Sequence, residues 1–268
     1  MTIRVAIAGV TGKVGGPLAK AVEQANDLTL VGAVARTQTG RKLGDLLGVP
    51  GLDVPIRASV AEALSEPCDV FIDYTRADAV KGHVLKALEL GAHVVIGSSG
   101  LSEEDFAEID AVAKERERGV FAAGNFAITA VLLRRFAIMA AAEIPSWEII
   151  DYCYEKKVDA PSGTSRELAA QLDKVRAPHY HVPVSSTVGY PDARGATVGQ
   201  TQVHSVRLPG YTMSFEVIFG TGAERLTIRH DSLDAAGPYV GGTLLAVRRV
   251  QSLRGVVRGL DSLLGSGT

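Results

Sequence analysis

The chain has little of what holds small or metal-dependent folds together. Only two cysteines, Cys68 and Cys153, occur in 268 residues. They lie far apart and without the short spacing of a zinc site, which excludes a cysteine-stapled scaffold and fits a reducing compartment; no metal ligands are expected. Long apolar runs are missing as well. No uncharged stretch of ~18 apolar residues exists, so no transmembrane helix is expected. Neither sign of charge dominates: the formal net charge is -2, and Lys and Arg are scattered rather than clustered, which leaves no footprint for nucleic acid. Met1-Thr2-Ile3-Arg4 runs straight into a strand pattern without signal-peptide architecture, so the expectation is a soluble protein of the cytoplasm. No internal repeat is evident.

What is present is a chain that is 46% hydrophobic, enough for a large core and one or two domains. Ile3 to Ala8 is an apolar, β-branched run of the kind a buried parallel strand shows. Gly9-Val10-Thr11-Gly12-Lys13-Val14-Gly15-Gly16 follows, and then a helical pattern with Leu18, Val22 and Ala25. A strand, a glycine-rich turn and a helix open a dinucleotide-binding unit. Gly9 would allow the tight turn, Gly12 the approach of a pyrophosphate, and Gly15 close helix–strand packing, with Thr11, Lys13 and Val14 supplying further contacts. The spacing is G-x-x-G-x-x-G rather than the commoner G-x-G-x-x-G.

The second strand, Leu28 to Val34, ends without the carboxylate that holds a ribose 2′-OH in NAD-specific units. Arg36 stands there instead. A guanidinium grips a 2′-phosphate through charge-assisted bonds, so NADPH is expected, with NADH possible; a plain surface arginine is the other reading. A strand at Asp69–Tyr74 ends at Thr75-Arg76, where open α/β sheets bind ligands, which makes Tyr74 and Thr75 cofactor candidates. Another strand, His93 to Ile96, runs into Gly97-Ser98-Ser99-Gly100, small enough for a cofactor ring to lie on the backbone. Ser102 with Asp105 resembles a capping box before a charged helix to about Arg118. Val120 to Ala123 is followed by Gly124-Asn125-Phe126. Up to this point strands alternate with helices, the doubly wound α/β pattern.

Beyond it the pattern changes. A long apolar helix covers Ile128 to Ala142, and Trp147 to Tyr154 reads as a strand. Lys157-Val158-Asp159-Ala160-Pro161-Ser162-Gly163-Thr164-Ser165 then combines a fixed charge, a rigid turn and three hydroxyls ahead of a helix to about Lys174. Pro161 suits the first helical turn. The N–H groups of Ser162, Gly163 and Thr164 would point forward unsatisfied, a ready anion site, and Lys157 adds a full charge. A small carboxylate fits; a helix merely capped by Ser162 or Thr164 is the other reading. A loop-rich segment over 176–200 precedes strands at Gln202–Leu208, Met213–Phe219 and Arg225–Asp231, which suggest a mixed or antiparallel sheet in a second domain. A last helix covers about Tyr239 to Arg249.

Taken together, Val5-Ala6-Ile7-Ala8-Gly9 with Gly12 and Gly15, Phe71-Ile72-Asp73-Tyr74-Thr75-Arg76, Val95-Ile96-Gly97-Ser98-Ser99-Gly100, Asn125-Phe126 and Lys157 to Thr164 make the chain resemble the dihydrodipicolinate reductase family of the lysine and diaminopimelate pathway. The resemblance implies a Rossmann-type doubly wound parallel sheet in residues 1–126, completed by 236–268. It also implies an α+β substrate-binding and oligomerisation domain with a mixed sheet in 127–235, and assembly into a homotetramer. Gly97, Ser98, Ser99 and Gly100 would lie near the nicotinamide, with Asn125 and Phe126 also on the cofactor. Lys157, Ser162, Gly163 and Thr164 would hold the carboxylates of a small imine substrate.

The chain departs from that family where a proton must be supplied. The family usually carries Glu-x-His-His-x-x-Lys, whereas this chain reads Asp151-Tyr152-Cys153-Tyr154-Glu155-Lys156-Lys157. Cys153 stands at the donor position and Tyr154 beside it. An imidazole titrates near neutrality; a thiol near about 8.5 or a phenol near about 10 is a poorer acid there. The candidate donors are Tyr154, Lys156, Lys157 or a bound water. Cys153 is a catalytic candidate on the ground of its position, but free cysteines are mostly small buried hydrophobes. Ser232-Leu233-Asp234 stands where the family has an arginine, and Ala127 replaces a serine. The expected activity is NADPH-dependent reduction of a carboxylated cyclic imine, 4-hydroxy-tetrahydrodipicolinate most simply. The alternatives are a paralogue acting on another imine and a non-catalytic NADPH-binding module.

Overall fold

A computed structural model of the chain describes residues 2–265, and by its internal contacts the chain forms two compact units. The first comprises Met1–Ile128 and Ala236–Thr268, the second Thr129–Ala235. Among the described residues no helix is long and apolar enough to cross a membrane.

The first unit follows the β–α alternation of its sequence. Its elements are β1 (Ile3–Ala8), α1 (Gly15–Gln24), β2 (Leu28–Val34), α2 (Leu43–Leu47), β3 (Ile56–Arg57), α3 (Val60–Ala63), β4 (Val70–Asp73), α4 (Val80–Glu89), β5 (His93–Ile96), α5 (Glu103–Glu115) and β6 (Gly119–Ala122). The capping box expected at Ser102 and Asp105 starts α5. Helix α6 (Ile128–Glu143) begins as the chain enters the second unit. That unit holds β7 (Ser146–Cys153), α7 (Gly163–Asp173), β8 (Ala196–Val198), β9 (Thr201–Arg207), β10 (Met213–Gly220) and β11 (Arg225–Ser232). The chain then returns through α8 (Gly237–Val250) to the edge strand β12 (Gly255–Arg258).

The first sheet runs in the order β12-β6-β5-β4-β1-β2-β3 and every pairing is parallel. Its central strands are buried on both faces, which is why they read as continuous apolar runs. Val5, Ala6, Ile7, Phe71, Ile72, Val94 and Val95 have no exposed surface, and a fully buried Ile or Phe side chain contributes about 1.5–3 kcal/mol. The chain order reverses between β1 and β4, so the loops after these strands diverge at a topological switch point, the usual ligand crevice of open α/β sheets.

The second sheet has the order β11-β10-β7-β9-β8 and is mixed: β7 is antiparallel to β10 and parallel to β9. Strand β7 alternates, with Trp147, Ile149, Asp151 and Cys153 buried and the residues between them partly exposed. Two details differ from expectation. Pro161, expected in the first helical turn, lies ahead of the N-cap Ser162 and follows a cis Ala160–Pro161 bond. The loop-rich stretch before β9 contains β8 and two short 3₁₀ turns, Val184–Ser186 and Pro191–Arg194.

Candidate active site

In the first unit, the turn from Gly9 to Val14 joins β1 to α1. Gly9 has φ +82, and a Cβ there would strike the Tyr74 carbonyl. A Cβ on Gly15 would strike the Gly9 carbonyl. These two glycines let the turn close upon itself and upon the start of the loop after β4. Gly12 is freer: its nearest obstacle is the Gly9 carbonyl at 3.0 Å, and its own N–H is taken by that carbonyl at 2.8 Å. No side chain caps α1, and its first turn carries no acid. The N–H groups of Lys13 and Val14 have no protein acceptor among the described residues. An uncapped helix end of this kind attracts phosphate. A hollow of about 780 Å³ opens beside it, lined by Thr11, Gly12, Lys20, Thr37 and Gln38 among others. Arg36 is exposed just beyond β2 and borders this wall through Thr37 without lining it. These features fit a dinucleotide.

The loops after β4 and β5 are tied together by a carboxylate that sequence alone did not single out. Asp73, fully buried at the end of β4, accepts hydrogen bonds from Thr75 N at 2.9 Å, Thr75 Oγ1 at 2.7 Å and Ser98 Oγ at 2.5 Å, and pairs with His83 Nδ1 at 2.9 Å. Burial pushes its carboxyl upward, but the bonds from His83, Ser98 and Thr75 outweigh it and hold the group below the ordinary carboxylate range. The Ser98 hydroxyl is therefore a strut of the loop. Gly97 lies under the Tyr74 ring, which any Cβ would strike. The Tyr74 hydroxyl meets Thr243 Oγ1 at 2.7 Å, and its ring centroid lies 6.1 Å from that of Phe126. Asn125 Oδ1 accepts from Ala127 N at 2.8 Å. Ser99 and Gly100 are exposed. The structure thus brings Gly9, Tyr74, Gly97 and Phe126 together at one end of the sheet, with Thr75 and Ser98 held by Asp73.

In the second unit, Ser162 caps α7, its Oγ accepting from Ser165 N at 3.4 Å. The N–H of Ser162, expected to point at a ligand, instead donates to Asp151 Oδ2 at 2.9 Å. Ser162 is buried, so its role is to shape the turn. Gly163 is exposed and Thr164 partly so, and their N–H groups head the first turn without intrahelical partners. A Cβ on Gly163 would meet only Arg166 Nη2, at 3.8 Å, so the approach to the backbone is open. Lys157 Nζ donates to Asp159 Oδ1 at 2.5 Å, which raises the ammonium above its ordinary range. Arg166, not anticipated, adds a guanidinium bonded to the Pro161 carbonyl and 4.0 Å from Asp159 Oδ2.

Cys153 has no exposed surface. Burial, with the charge of Asp151 adding to it, pushes its thiol up to about 11, and its Sγ lies 3.7 Å from Asp151 Oδ1. Tyr154, the next residue, is 49% exposed, and its carbonyl accepts from Lys157 N at 3.1 Å. The alternation of β7 turns the first side chain inward and leaves the second outside. Among the described residues no cluster of three or more His, Cys, Asp or Glu is placed to hold a metal ion.

Two family models, Dihydrodipicolinate reductase, N-terminus and Dihydrodipicolinate reductase, C-terminus, match residues 3–126 and 128–264. The chain belongs to the dihydrodipicolinate reductase family. It is 38% identical over 263 residues to the 4-hydroxy-tetrahydrodipicolinate reductase of Syntrophomonas wolfei, covering 97% of this chain and 98% of that one. It is also 38% identical over 272 residues to the Geobacillus kaustophilus enzyme of the same name, with 98% and 100% covered. A solved dipicolinate-bound dihydrodipicolinate reductase from Paenisporosarcina sp. TG-14 superposes with a TM-score of 0.88 at 32% identity, covering 98% of this chain and all of that one. An amine dehydrogenase from Mycobacterium smegmatis shares the fold alone, with a TM-score of 0.64 at 18% identity. As a dihydrodipicolinate reductase family member the chain is an oxidoreductase that works with a nicotinamide cofactor.

Proposed function

We propose that the chain reduces 4-hydroxy-tetrahydrodipicolinate to tetrahydrodipicolinate, with NADPH preferred over NADH. The observation that carries this is the paired equipment of a single chain matched by the family along both halves. One uncapped helix end, at Lys13 and Val14, suits a pyrophosphate; a second, at Gly163 and Thr164, is flanked by the Lys157 ammonium and suits a carboxylate. The nicotinamide supplies the hydride. Arg36, where no acid ends β2, would hold the 2′-phosphate. Gly97 to Gly100, Tyr74, Thr75, Asn125 and Phe126 would shape the ring's seat, with Asp73 fixing Thr75 and Ser98. Lys157 anchors a substrate carboxylate once that carboxylate has replaced Asp159. The buried, weakly acidic Cys153 is a poor proton donor, so the proton is assigned to Tyr154, the exposed phenol beside Lys157. The family resemblance further supports a cytoplasmic homotetramer, which sedimentation would report at four times the 28.2 kDa chain.

The test is NADPH oxidation with freshly generated substrate. Turnover that requires this substrate, and a drop of about 10²-fold in kcat for Tyr154→Phe, are expected. The burial of Cys153 at the usual donor position favours one rival, a paralogue acting on another cyclic imine. Turnover of other cyclic imines without turnover of this one would replace the proposal by that rival.

A further inference from the structure

We propose that Arg207 is a positioning residue of the carboxylate cradle: it cancels the charge of the buried Asp151 beneath the first turn of α7, so that this turn stays attractive to a substrate anion. The proposal rests on the reading of Lys157 to Thr164 as that cradle.

Asp151 has no exposed surface, yet it sits against the α7 N-terminus. Its Oδ2 accepts from Ser162 N at 2.9 Å, and its Oδ1 from Ser165 Oγ at 3.2 Å. By itself this carboxylate would be the resident anion of the helix end, saturating the partial positive charge that Gly163 and Thr164 offer to a ligand. Arg207, one of the last residues of β9, answers it. Its Nη2 donates to Asp151 Oδ2 at 2.8 Å and to the Asp159 carbonyl at 2.7 Å. One guanidinium nitrogen thus neutralises the buried acid and grips the backbone two residues after Lys157. The fork is not saturated, since Nε is buried without an acceptor; charge pairing and carbonyls hold it.

The other groups facing Asp151 supply no countercharge. From β7 itself comes the Cys153 thiol at 3.7 Å, from α7 the Ser165 hydroxyl, and from β9 the Ser205 hydroxyl at 3.3 Å. β10 presents Phe215 as register partner. Among the described residues, Arg207 and Cys153 are the ionisable groups in hydrogen-bonding contact with the carboxylate. A buried carboxylate that loses its cation either repels nearby anions or takes up a proton.

That alternative sets the test. The probe is pyridine-2,6-dicarboxylate, a stable planar dicarboxylate, titrated calorimetrically into the full chain between pH 5 and 8. Arg207→Gln should weaken binding ~10-fold or more at pH 8 and recover toward the parent as the pH falls, because the unpaired Asp151 then protonates. Asp151→Asn/Arg207→Gln removes both charges while keeping an acceptor for Ser162 N, and should bind within ~3-fold of the parent at every pH. A merely structural role gives the opposite ordering, with the double variant at least as weak as the single and no pH recovery; that result, or unchanged affinity in Arg207→Gln, overturns the proposal. Should Arg207→Gln fail to fold, Asp151→Asn decides: tighter binding supports the proposal and weaker binding refutes it. Lys157→Ala separates the two levels. If it leaves the affinity unchanged, the cradle reading itself fails; if it abolishes binding while Arg207→Gln is silent, only the role of Arg207 fails.

Discussion

The two helix ends proposed as anion sites in this chain are built on opposite plans. The α1 end is bare: no side-chain cap, no acid in the first turn, and N–H groups left open by a glycine turn in which the Cβ positions of Gly9 and Gly15 are closed by backbone. The α7 end is crowded. It has a serine cap, a buried aspartate against it, and charged side chains of both signs around its rim. A bare end offers the same donors to any phosphate, which suits the constant part of a dinucleotide. A crowded end can be tuned one side chain at a time, which suits a small substrate that must be told from others. On the proposed function, backbone geometry would carry recognition in the first unit and charge balance in the second.

The sharpest way to break this contrast is Lys157→Ala. It should raise KM for the imine about 10²-fold while leaving cofactor affinity, read by fluorescence titration, unchanged. Equal losses in both would erase the distinction. Next come paired glycine variants. Gly15→Ala puts a methyl into the Gly9 carbonyl and should destabilise the fold by about 1–3 kcal/mol. Gly163→Ala meets only the tip of Arg166; it should leave the melting temperature unchanged or slightly raised and weaken dicarboxylate binding about tenfold. A stability loss in Gly163→Ala would show that the second end is as backbone-limited as the first. Arg36→Ala is milder: KM for NADPH should rise about 10- to 50-fold with KM for NADH unmoved, and equal shifts would count against the 2′-phosphate role.

The smallest effect concerns stability and pH. His93 accepts from Gly119 N through Nδ1 at 2.8 Å, and burial, helped by the nearby Arg118 and Arg254, lowers its imidazole to about 4. The folded protein thus keeps a neutral ring where the unfolded chain, with an ordinary value of about 6.5, takes up a proton. Stability should therefore be full above that ordinary value and decline as the pH falls from about 6.5 toward 4. The depressed carboxyls of Asp73 and Asp151 act lower, their contribution disappearing as the pH falls through their folded values. Thermal melts across pH 4–7 should show the first decline, and His93→Gln should flatten it.

Much of this architecture was legible along the chain. The strand, glycine turn and helix at the start are local, and so is the Lys157 to Thr164 block. The supports of both sites were not, because their partners are distant in sequence. Asp73 meets Ser98 across 25 residues, and Asp151 meets Arg207 across 56. A signal existed all the same. Asp73 ends the apolar run Val70-Phe71-Ile72, and Asp151 breaks the buried alternation of Trp147, Ile149 and Cys153. An acid on a buried face must have partners, although nothing local says which. Pro161 lies ahead of the N-cap rather than in the first turn, and a proline just before an N-cap looks, in sequence, much like one just after it.

The order of synthesis sets a further condition on the first sheet. Its edge strand β12 is made after the whole of the second unit, and it pairs in parallel with β6, made before that unit begins. At ordinary translation speeds of about 5–20 residues per second the ribosome needs roughly 7–26 s to deliver the intervening segment. Throughout that interval β6 is an open strand edge, a template for wrong pairing with a neighbouring nascent chain. The first unit is thus begun before the second and completed after it, which makes it the half more exposed to misassembly during synthesis.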